Sequence, residues 1–333
     1  MKKKILMSKK IFVTGGAGYV GSKLVPKLLE LGHKVTVLDL MIYGENVLPN
    51  HINLKTIKGD IRNTTILENN LPGHEYLIHL ACISNDPSFE LNPKLGKSIN
   101  LDSFEPLVKL SMKSNIHRFI YASSSSVYGI KKEKNVTEDM SLEPLTDYSK
   151  FKGECEKILN KYKSENFVTT TIRPSTVCGY AKRQRLDLVV NILTNHAYHN
   201  KEIKVFGGDQ LRPNIHIDDM VNSYLSVIEA DGQIINGQIF NVGFRNQSVN
   251  ELANDVREVI GQDVKIIKTK SDDNRSYHVS SEKIRDILGF TTKFTVQNAV
   301  LDLKTAFENN ILTNTFENEL FYNIKRMNNI NLI

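Results

Sequence analysis

A tyrosine and a lysine stand four positions apart in the segment Asp147-Tyr-Ser-Lys-Phe-Lys152. On a helix this spacing places the side chains of Tyr148 and Lys152 on one face. A tyrosine has a pKa of about 10, so a tyrosine base at neutral pH requires a fall of about 3 units. Lys152 and a bound cation are able to supply that stabilisation. The alternative is a solvated helix face, on which such pairs are common.

Four consecutive serines, Ser123 to Ser126, follow the apolar run Arg118–Ala122. The run predicts a strand, and open α/β sheets bind their ligands at the carboxyl ends of the strands. One of the four hydroxyl groups is therefore a candidate to bind a reacting hydroxyl of a substrate. A polar turn is the other interpretation, and it applies to some of the four.

Three glycines, Gly15, Gly18 and Gly21, lie between a predicted strand at Ile11–Thr14 and a predicted helix at Ser22–Leu31. The first permits a tight turn, the second lets the backbone approach a pyrophosphate, and the third lets the helix pack on its strand. The helix N-terminus then faces the anion. Glycine turns also occur for steric reasons alone, but this placement favours a dinucleotide site.

An aspartate closes the second predicted strand, Lys34–Leu38, eighteen positions after the last of these glycines. Asp39 is suited to accept hydrogen bonds from the hydroxyls of an adenosine ribose. Leu40 and Met41 follow it, and no arginine stands beside it to pair with a 2′-phosphate, so NAD is favoured over NADP. Asp60 either receives the adenine amino group or caps a helix.

Strand and helix signals alternate through the first half of the chain. The sequence therefore predicts an α/β fold with a doubly wound parallel sheet of the Rossmann type and a smaller C-terminal α/β lobe. Besides the strands already given, the predicted strands are Leu54–Lys58, Tyr76–Leu80, Arg118–Ala122 and Thr169–Ile172.

The regular alternation of predicted strands and helices ends after Pro174. A basic run at Lys182–Arg185, an amphipathic stretch at Leu186–His196 and a predicted loop at Gly207–Pro213 follow. We expect residues 9–175 to form the NAD-binding domain and residues 176–333 to form a substrate-binding lobe. Residues 210–245 are expected to return in part to the first domain, because Gln238–Val242 has the pattern of a buried strand.

The composition is that of an ordinary globular protein, with 40% hydrophobic and 24% charged residues among 333. The net charge of +6 is local to lysine clusters, and no basic stripe with aromatic residues indicates nucleic-acid binding. Cys82, Cys155 and Cys178 have neither metal-site nor disulfide spacing, so reduced thiols and no metal are expected. Without a signal-peptide core or an apolar span, we expect a cytoplasmic protein with no membrane association.

The motifs resemble, in order, those of the extended short-chain dehydrogenase/reductase family of NAD-dependent nucleotide-sugar epimerases and dehydratases. The resemblance covers roughly residues 9–290. The segments that carry it are Gly15 to Gly21, Asp39, Gly59-Asp60, His79-Leu-Ala81, Ser123 to Gly129, Tyr148 to Lys152, Arg173-Pro174 and Asn241-Val-Gly243.

The resemblance implies that Tyr148 is the general base and that Lys152 tunes it and binds the nicotinamide ribose. It implies that Ser124 is the hydroxyl partner, with Ser123, Ser125 and Ser126 as lesser candidates. The expected cofactor contacts are Gly15, Gly18, Tyr19, Val20, Asp39, Asp60, Ile61, Leu80, Ala81, Tyr148 and Lys152. The expected substrate contacts are Ser124, Ser125, Arg185, Arg212 and Arg275, the three arginines being candidates for the pyrophosphate.

Dehydratases of the family carry an acidic pair where Ser125 and Ser126 stand, so dehydration is disfavoured here. The segment Arg183–Asn191 looks like that of bacterial surface-polysaccharide nucleotide-sugar epimerases and 4-dehydrogenases. Near Arg212, His216 has the pattern of a structural histidine at a strand end, and the two aspartates after Ile217 are expected to cap a helix.

The resemblance therefore favours a nucleotide-sugar epimerase that acts through a 4-keto intermediate in surface polysaccharide biosynthesis. A 4-dehydrogenase or 4-keto reductase is the first alternative, and a non-catalytic NAD-binding regulator is a distant one. The expected partner is a nucleotide-diphosphate sugar. Family members often form homodimers through a helix bundle that includes the Tyr-Lys helix, predicted here over Asp147–Tyr162, so a homodimer is expected.

Overall fold

A seven-stranded parallel sheet forms the centre of the protein, whose computed structural model describes residues 8–133, 135–270, 276, 278–330 and 332. In chain order the strands are β1 (Lys10–Thr14), β2 (Lys34–Asp39), β3 (Leu54–Lys58), β4 (Tyr76–His79), β5 (Arg118–Ala122), β6 (Val168–Pro174), β7 (Thr176–Cys178), β8 (Glu202–Phe206), β9 (Leu211–His216), β10 (Gln238–Val242), β11 (Arg245–Ser248) and β12 (Lys265–Thr269).

The order of strands in the central sheet is β10-β6-β5-β4-β1-β2-β3, and every neighbouring pair is parallel. The predicted α/β class with a doubly wound parallel sheet is confirmed. The strand Gln238–Val242 pairs with β6, which places this late segment at the edge of the first domain's sheet. The direction of the chain's progress reverses between β1 and β4, where such sheets form a ligand crevice.

Helices cover both faces of this sheet, and others belong to the elements that follow β6. In chain order the helices are α1 (Gly21–Glu30), α2 (Thr64–Asn70), α3 (Asp86–Glu90), α4 (Pro93–Lys97), α5 (Phe104–Lys113), α6 (Asp147–Tyr162), α7 (Val189–Asn200), α8 (Ile217–Glu229), α9 (Gly232–Ile235), α10 (Val249–Ile260), α11 (Glu282–Leu288), α12 (Val296–Glu308) and α13 (Asn323–Asn329). A π-helical turn at Ser98–Asp102 precedes α5, and 3₁₀ turns occur at Ser125–Tyr128 and Glu319–Phe321.

Alternation of side chains along the strands builds two separate cores. In β1, Ile11 and Val13 pack with α1 and α8 on one face, whereas Phe12 packs with α2, α5 and α6 on the other. Both faces are covered, and Ile11, Phe12 and Val13 are fully buried. Continuous burial explains why the strand is an unbroken apolar run rather than an alternating one.

A smaller group of elements follows β6. Strands β7, β9 and β11 form one sheet, β8 and β12 form a second, and helices α7, α10 and α12 pack together beside them. Their shared core is aliphatic and includes Val190, Leu193, Leu252 and Val300. The amphipathic stretch predicted at residues 186–196 forms a helix, but it runs over Val189–Asn200.

Part of the predicted loop at Gly207–Pro213 is a strand, because residues 211–213 begin β9 and pair with β11 and, further along, β7. The expected capping of α8 by Asp218 and Asp219 is also wrong. His216 is the N-cap, and its Nδ1 accepts the N–H of Asp218 at 3.1 Å. The Asp219 carboxylate instead accepts the N–H groups of Lys293 and Phe294, both at 2.9 Å.

A buried ion pair joins α6 to β6. The Arg173 guanidinium donates Nη2 to Glu156 Oε2 at 2.6 Å and Nε to Glu156 Oε1 at 3.0 Å. Both side chains are under 5% exposed. Ser123, at the end of β5, donates its hydroxyl to the same Glu156 at 2.5 Å. One carboxylate therefore holds a helix and two strands in register.

Removal of this carboxylate tests its structural role. Glu156→Ala leaves the Arg173 guanidinium buried without its partner, so we expect the free energy of unfolding to fall by about 3–5 kcal/mol. Denaturant titration monitored by circular dichroism measures the change. Glu154→Ala on the same helix is the matched control, with an expected change of about 0.5 kcal/mol or less. Equal unfolding midpoints for the two variants would show that the pair contributes nothing.

Candidate active site

A cleft of about 520 Å³ opens beside the carboxyl ends of β1 and β4. Parallel strands meet their ligands at this edge, and the reversal of strand order leaves room for one. The cleft brings together the glycine turn, the end of β2, the serine run and the first turns of α6. Of the predicted site residues it is lined by Gly15, Gly18, Tyr19, Val20, Asp39, Ile61, Leu80, Ala81, Ser124, Ser125, Tyr148, Lys152, Arg185 and Arg212.

The glycine turn is shaped by close backbone contacts. Gly15 has a φ of +73°, and a Cβ there would lie 2.4 Å from the Ala81 nitrogen. A Cβ on Gly21 would lie 2.4 Å from the Gly16 oxygen, so the helix can approach the turn only without a side chain. Val20 provides no side-chain cap to α1, and the first turn of α1 contains no acidic residue. A helix N-terminus without a side-chain cap or an acidic neighbour fits an anion such as a pyrophosphate.

Asp39 is fixed at the end of β2 by two backbone donors. Its Oδ2 accepts the Ala17 N–H at 3.0 Å and its Oδ1 accepts the Met41 N–H at 2.8 Å. Burial raises the pKa of Asp39, while these hydrogen bonds and the Arg183 charge oppose the rise. The carboxylate faces the cleft beside the glycine turn, which is the place where an adenosine ribose fits.

Asp60 is committed to a neighbouring arginine. Its carboxylate accepts from Arg62 Nε at 3.0 Å and Nη2 at 2.6 Å, as well as from the Arg62 backbone. Partial burial raises the pKa of Asp60, but the Arg62 hydrogen bonds outweigh it and the pKa is lowered. The alternative of a helix N-cap is wrong, because Asn63 caps α2 through Ile66. The neighbours Gly59 and Ile61 line the cleft.

Tyr148 and Lys152 lie on the first turns of α6, which begins with a capping box between Thr146 and Ser149. Lys152 is 4% exposed, and its Nζ donates to the Ala122 carbonyl at 2.7 Å. The same Nζ lies 5.9 Å from the centre of the Tyr148 ring. The end of β5 therefore aims the ammonium group along the helix face toward the phenol.

The serine run divides its hydroxyl groups between structure and cleft. Ser123 borders the cleft, but the hydroxyl of this lesser candidate is donated to Glu156. Ser124 Oγ lies 2.8 Å from Ser126 Oγ and accepts the Ser126 N–H, which caps the 3₁₀ turn. The Ser124 hydroxyl also acts on Tyr148 by lowering the pKa of its phenol. The structure thus brings together Ser124, Tyr148 and Lys152.

Burial raises the pKa of Tyr148 strongly, and the charges of Asp86 and Cys82 add to the rise. The Arg185 charge and the Ser124 hydrogen bond act in the opposite direction. Arg185 is buried and holds Asp187 with two bonds, from Nε at 2.9 Å and from Nη2 at 3.1 Å. The protein alone therefore keeps Tyr148 as a phenol, with a buried cation nearby.

The three predicted phosphate ligands are placed differently. Arg212 lies on β9, lines the cleft and donates to the Leu211 carbonyl at 3.0 Å. Arg185 lies deeper and is paired with Asp187. Arg275 lies outside the described residues. Tyr19 is expected from its sequence position to meet a cofactor, yet its hydroxyl donates to the Gly179 carbonyl at 2.6 Å.

Several cleft residues escape prediction from the motifs. Arg183 lines the cleft, as do Met327 and Leu332 from the end of the chain. Arg183 belongs to the basic run at Lys182–Arg185, in which the resemblance points only to Arg185. The C-terminal residues lie beyond the resemblance, and no glycine motif or reactive spacing marks them. In the sequence, Met327 and Leu332 lie in a short stretch that mixes polar and apolar residues, which does not indicate a binding site.

A model of the NAD-dependent epimerase/dehydratase family matches residues 11–243, which is more than half of the chain. The chain belongs to this family. The family expectation is confirmed, and so is NAD as the cofactor of the family. The glycine turn, the N-terminus of α1, which has no side-chain cap, and Asp39 fit that dinucleotide. The protein is an NAD-dependent enzyme of the epimerase/dehydratase type.

Relatives and solved structures are similar over 70–91% of the chain. A protein of Bacillus subtilis named as an uncharacterized UDP-glucose epimerase is 33% identical over 248 residues, covering 70% of this chain and 76% of its own. A UDP-glucose 4-epimerase of Lactobacillus helveticus is 25% identical over 305 residues, covering 85% and 92%. The structure of the Thermotoga maritima UDP-glucose 4-epimerase with UDP-glucose has a TM-score of 0.83 at 25% identity, covering 91% and 100%.

Two further features concern membrane-spanning helices and the state of the cysteines. Among the described residues no helix has the length and apolar character needed to cross a bilayer. Cys82, Cys155 and Cys178 are all described, and each is a free thiol.

The role of Asp39 is tested by Asp39→Asn. The amide keeps the shape but lacks the charge, and it offers one acceptor oxygen where the carboxylate offers two. We expect NAD+ affinity to fall by about 10–100-fold, because a hydrogen bond to a charged group contributes about 1.5–3 kcal/mol. The selectivity for NAD+ over NADP+ is expected to narrow. Titration calorimetry with both dinucleotides measures the two effects, and unchanged affinity and selectivity would remove Asp39 from the site.

Proposed function

We propose that the enzyme is a nucleotide-sugar epimerase that acts through a 4-keto intermediate. The observation that carries the proposal is the convergence of Ser124, Tyr148 and Lys152 beside the glycine turn. Family dehydratases carry an acidic pair at the positions of Ser125 and Ser126. The serines found here therefore support epimerisation over dehydration. The names of the relatives, which are UDP-glucose 4-epimerases, support the same substrate class.

In this proposal Tyr148 removes the proton from the 4-hydroxyl of the sugar. Ser124 hydrogen-bonds both the phenol and the reacting oxygen, which orients the proton for transfer. Lys152 is held by the Ala122 carbonyl so that its ammonium group stabilises the phenolate. The glycine turn and Asp39 would hold NAD, which would supply the acceptor for the C4 hydride and, once the 4-keto sugar has turned over, the donor that returns it to the other face. The proton on Tyr148 then goes back to the 4-oxygen.

Because Tyr148 is buried, its phenolate must be stabilised before the residue can act as a base at neutral pH. A fall of about 3 units from the ordinary pKa corresponds to roughly 4 kcal/mol of preferential stabilisation of the phenolate. Burial acts against this, so positive charge must lie close to the ring when the site is filled. Arg185 and Lys152 are the cations of the chain that contribute. We propose that Arg185 stabilises the Tyr148 phenolate rather than binding phosphate, because two nitrogens of its guanidinium already donate to Asp187.

The pyrophosphate of the nucleotide sugar is assigned to Arg212 in the proposal, with Arg275 as its companion. Arg212 lies on β9, across the cleft from the serine run, and a guanidinium fork matches two phosphate oxygens. Ser125 lines the same cleft and is a candidate for a sugar hydroxyl. A role in surface polysaccharide biosynthesis is part of the proposal and rests on the character of Arg183–Asn191.

A homodimer through α6 stays a prediction. Phe151 and Leu159 of this helix are buried in the protein's own core, whereas Ile158 is only partly buried. Size-exclusion chromatography with light scattering measures the oligomeric state directly.

Tyr148→Phe tests the proposed base. Loss of the phenol oxygen should lower kcat by about 10²–10⁴-fold, while NAD binding is kept because the ring still fills its place. Tyr162→Phe is the matched control, since Tyr162 lies at the far end of the same helix and bonds Glu105. Full activity of Tyr148→Phe in steady-state assays would exclude this tyrosine as the base.

The reaction itself is tested with a panel of UDP-, GDP-, dTDP- and CDP-sugars and a trace of NAD+. Chromatography follows the sugar products while absorbance at the reduced-nicotinamide band follows the cofactor. Many turnovers to an isomer without net reduction of NAD+ are expected. Product limited to the amount of cofactor would instead identify a 4-dehydrogenase, and NAD binding without any product would indicate a regulatory protein.

A further inference from the structure

Two buried arginines lie in the wall of the cleft, and only one of them forms an ion pair with a carboxylate among the described residues. Arg183 and Arg185 are 3% and 7% exposed. Asp187 uses both oxygens for Arg185. Arg183 donates to the Gln184 carbonyl and to the Asn323 side chain, and within the described part of the chain no carboxylate forms an ion pair with it. The wall therefore holds one positive charge without a contact partner of opposite sign.

Arg183 lies between the two ends of the expected cofactor site. Its backbone N–H donates to Ser22 Oγ at 3.2 Å, in the first turn of α1. Its guanidinium lies 3.7 Å from the ring centre of Tyr43, four positions after Asp39. The Arg183 backbone thus lies beside the first turn of α1, and its side chain lies beside the loop that follows β2. A dinucleotide that follows the glycine turn must pass its pyrophosphate through this space.

The environment of Arg183 is unfavourable for an isolated cation. Burial, reinforced by the charge of Arg185, lowers the pKa of Arg183 to about 10. Its Nε is buried and has no acceptor among the described residues. A buried charge without a partner is strongly destabilising, and an anion bound nearby removes that penalty. The arrangement is that of a cation held in place for an anionic ligand.

Asn323 holds this arginine from the C-terminal helix. It is 1% exposed, and its Oδ1 accepts from Arg183 Nη2. Its Nδ2 donates to Ser84 Oγ at 3.0 Å, and its backbone N–H donates to Asp187 Oδ2 at 3.1 Å. Asn323 therefore connects Arg183 and Asp187 to Ser84 in the loop that follows β4.

The rest of the C-terminal helix crosses the mouth of the cleft. Arg326 Nε donates to the carbonyl of Ile42, in the loop after β2, at 2.5 Å. Met327 and Leu332 line the cleft and pack against the apolar cluster that contains Ile61. The segment therefore spans from the loop after β4 to the loop after β2, over the path of the dinucleotide.

We propose that the C-terminal segment completes the cofactor site, with Arg183 as the cation that meets the NAD pyrophosphate and Asn323 as its positioning residue. Met327 and Leu332 form the outer wall that slows release of the dinucleotide. The inference rests on the proposed function in one respect, because a redox-neutral epimerase must keep its reduced cofactor between two hydride transfers.

Ligand fragments separate this inference from a purely structural role. Binding of NAD+, ADP, adenosine and UDP to Arg183→Met is measured by titration calorimetry. We expect affinity for NAD+ and ADP to fall by about 10-fold or more, since a charge-assisted hydrogen bond is removed. Adenosine and UDP should bind as they do to the wild type, and Arg183→Lys should restore part of the ADP affinity. A loss confined to UDP would assign Arg183 to the nucleotide sugar and overturn the proposal.

Retention of the cofactor tests the role of Asn323. The NAD(H) content of the purified protein and the rate of NADH release, followed by loss of its fluorescence on dilution into NAD+, are compared for three proteins. Asn323→Ala should release NADH several-fold faster than wild type. The matched control is Asn328→Ala, an exposed asparagine of the same helix, which should release NADH at the wild-type rate.

Thermal melting without ligand shows whether each variant is folded, and Asn323→Ser provides a milder variant if Asn323→Ala is not. Equal release rates for wild type and a folded Asn323 variant would refute the positioning role. Neither readout depends on turnover of a sugar, so failure of the proposed function would leave these results unchanged and be recognised separately in the product assay.

Discussion

The position of the reactive helix depends on one buried carboxylate. Glu156 lies two turns after Tyr148 on α6 and accepts hydrogen bonds from Arg173 on β6 and from Ser123 at the end of β5. Because these strands neighbour each other in the sheet, the carboxylate sets the height at which α6 crosses their ends. Lys152 then reaches the Ala122 carbonyl. The geometry of the proposed base therefore follows from an ion pair that does not itself line the cleft.

Long periodic elements and the motif at their ends could be predicted from the sequence. The helix Asp147–Tyr162 has the predicted bounds, and the glycine turn lies between a strand and a helix as expected. Such elements are encoded locally, by the spacing of apolar residues and by a turn whose backbone conformation requires glycine. Capping was less predictable, because several polar residues compete for one helix end. His216 took the cap of α8, for which two aspartates were better candidates by type.

The part of the site that escaped prediction is built from contacts distant in sequence. Asn323 meets Arg183 across 140 positions and Ser84 across 239. The helix that carries it has seven residues, too few for a periodic pattern to show. The unpaired charge of Arg183 likewise becomes visible only when its surroundings are known, because a sequence does not reveal which arginine has a carboxylate beside it. Local patterns thus locate the proposed catalytic groups, whereas the proposed enclosure of the cofactor depends on the tertiary structure.

The hydroxyl of Tyr19 has a consequence for how the enzyme moves. It joins the glycine turn to the Gly179 carbonyl and to Asn191, at 2.6 and 3.0 Å, so the turn is fastened to the elements that follow β6. A hinge between these parts would break buried hydrogen bonds and leave their polar groups unsatisfied. These hydrogen bonds therefore resist a hinge motion at the glycine turn. In the proposed function, substrate affinity would then not be diminished by the work of closing two halves at this point, and adaptation to different sugars would fall to side chains and loops.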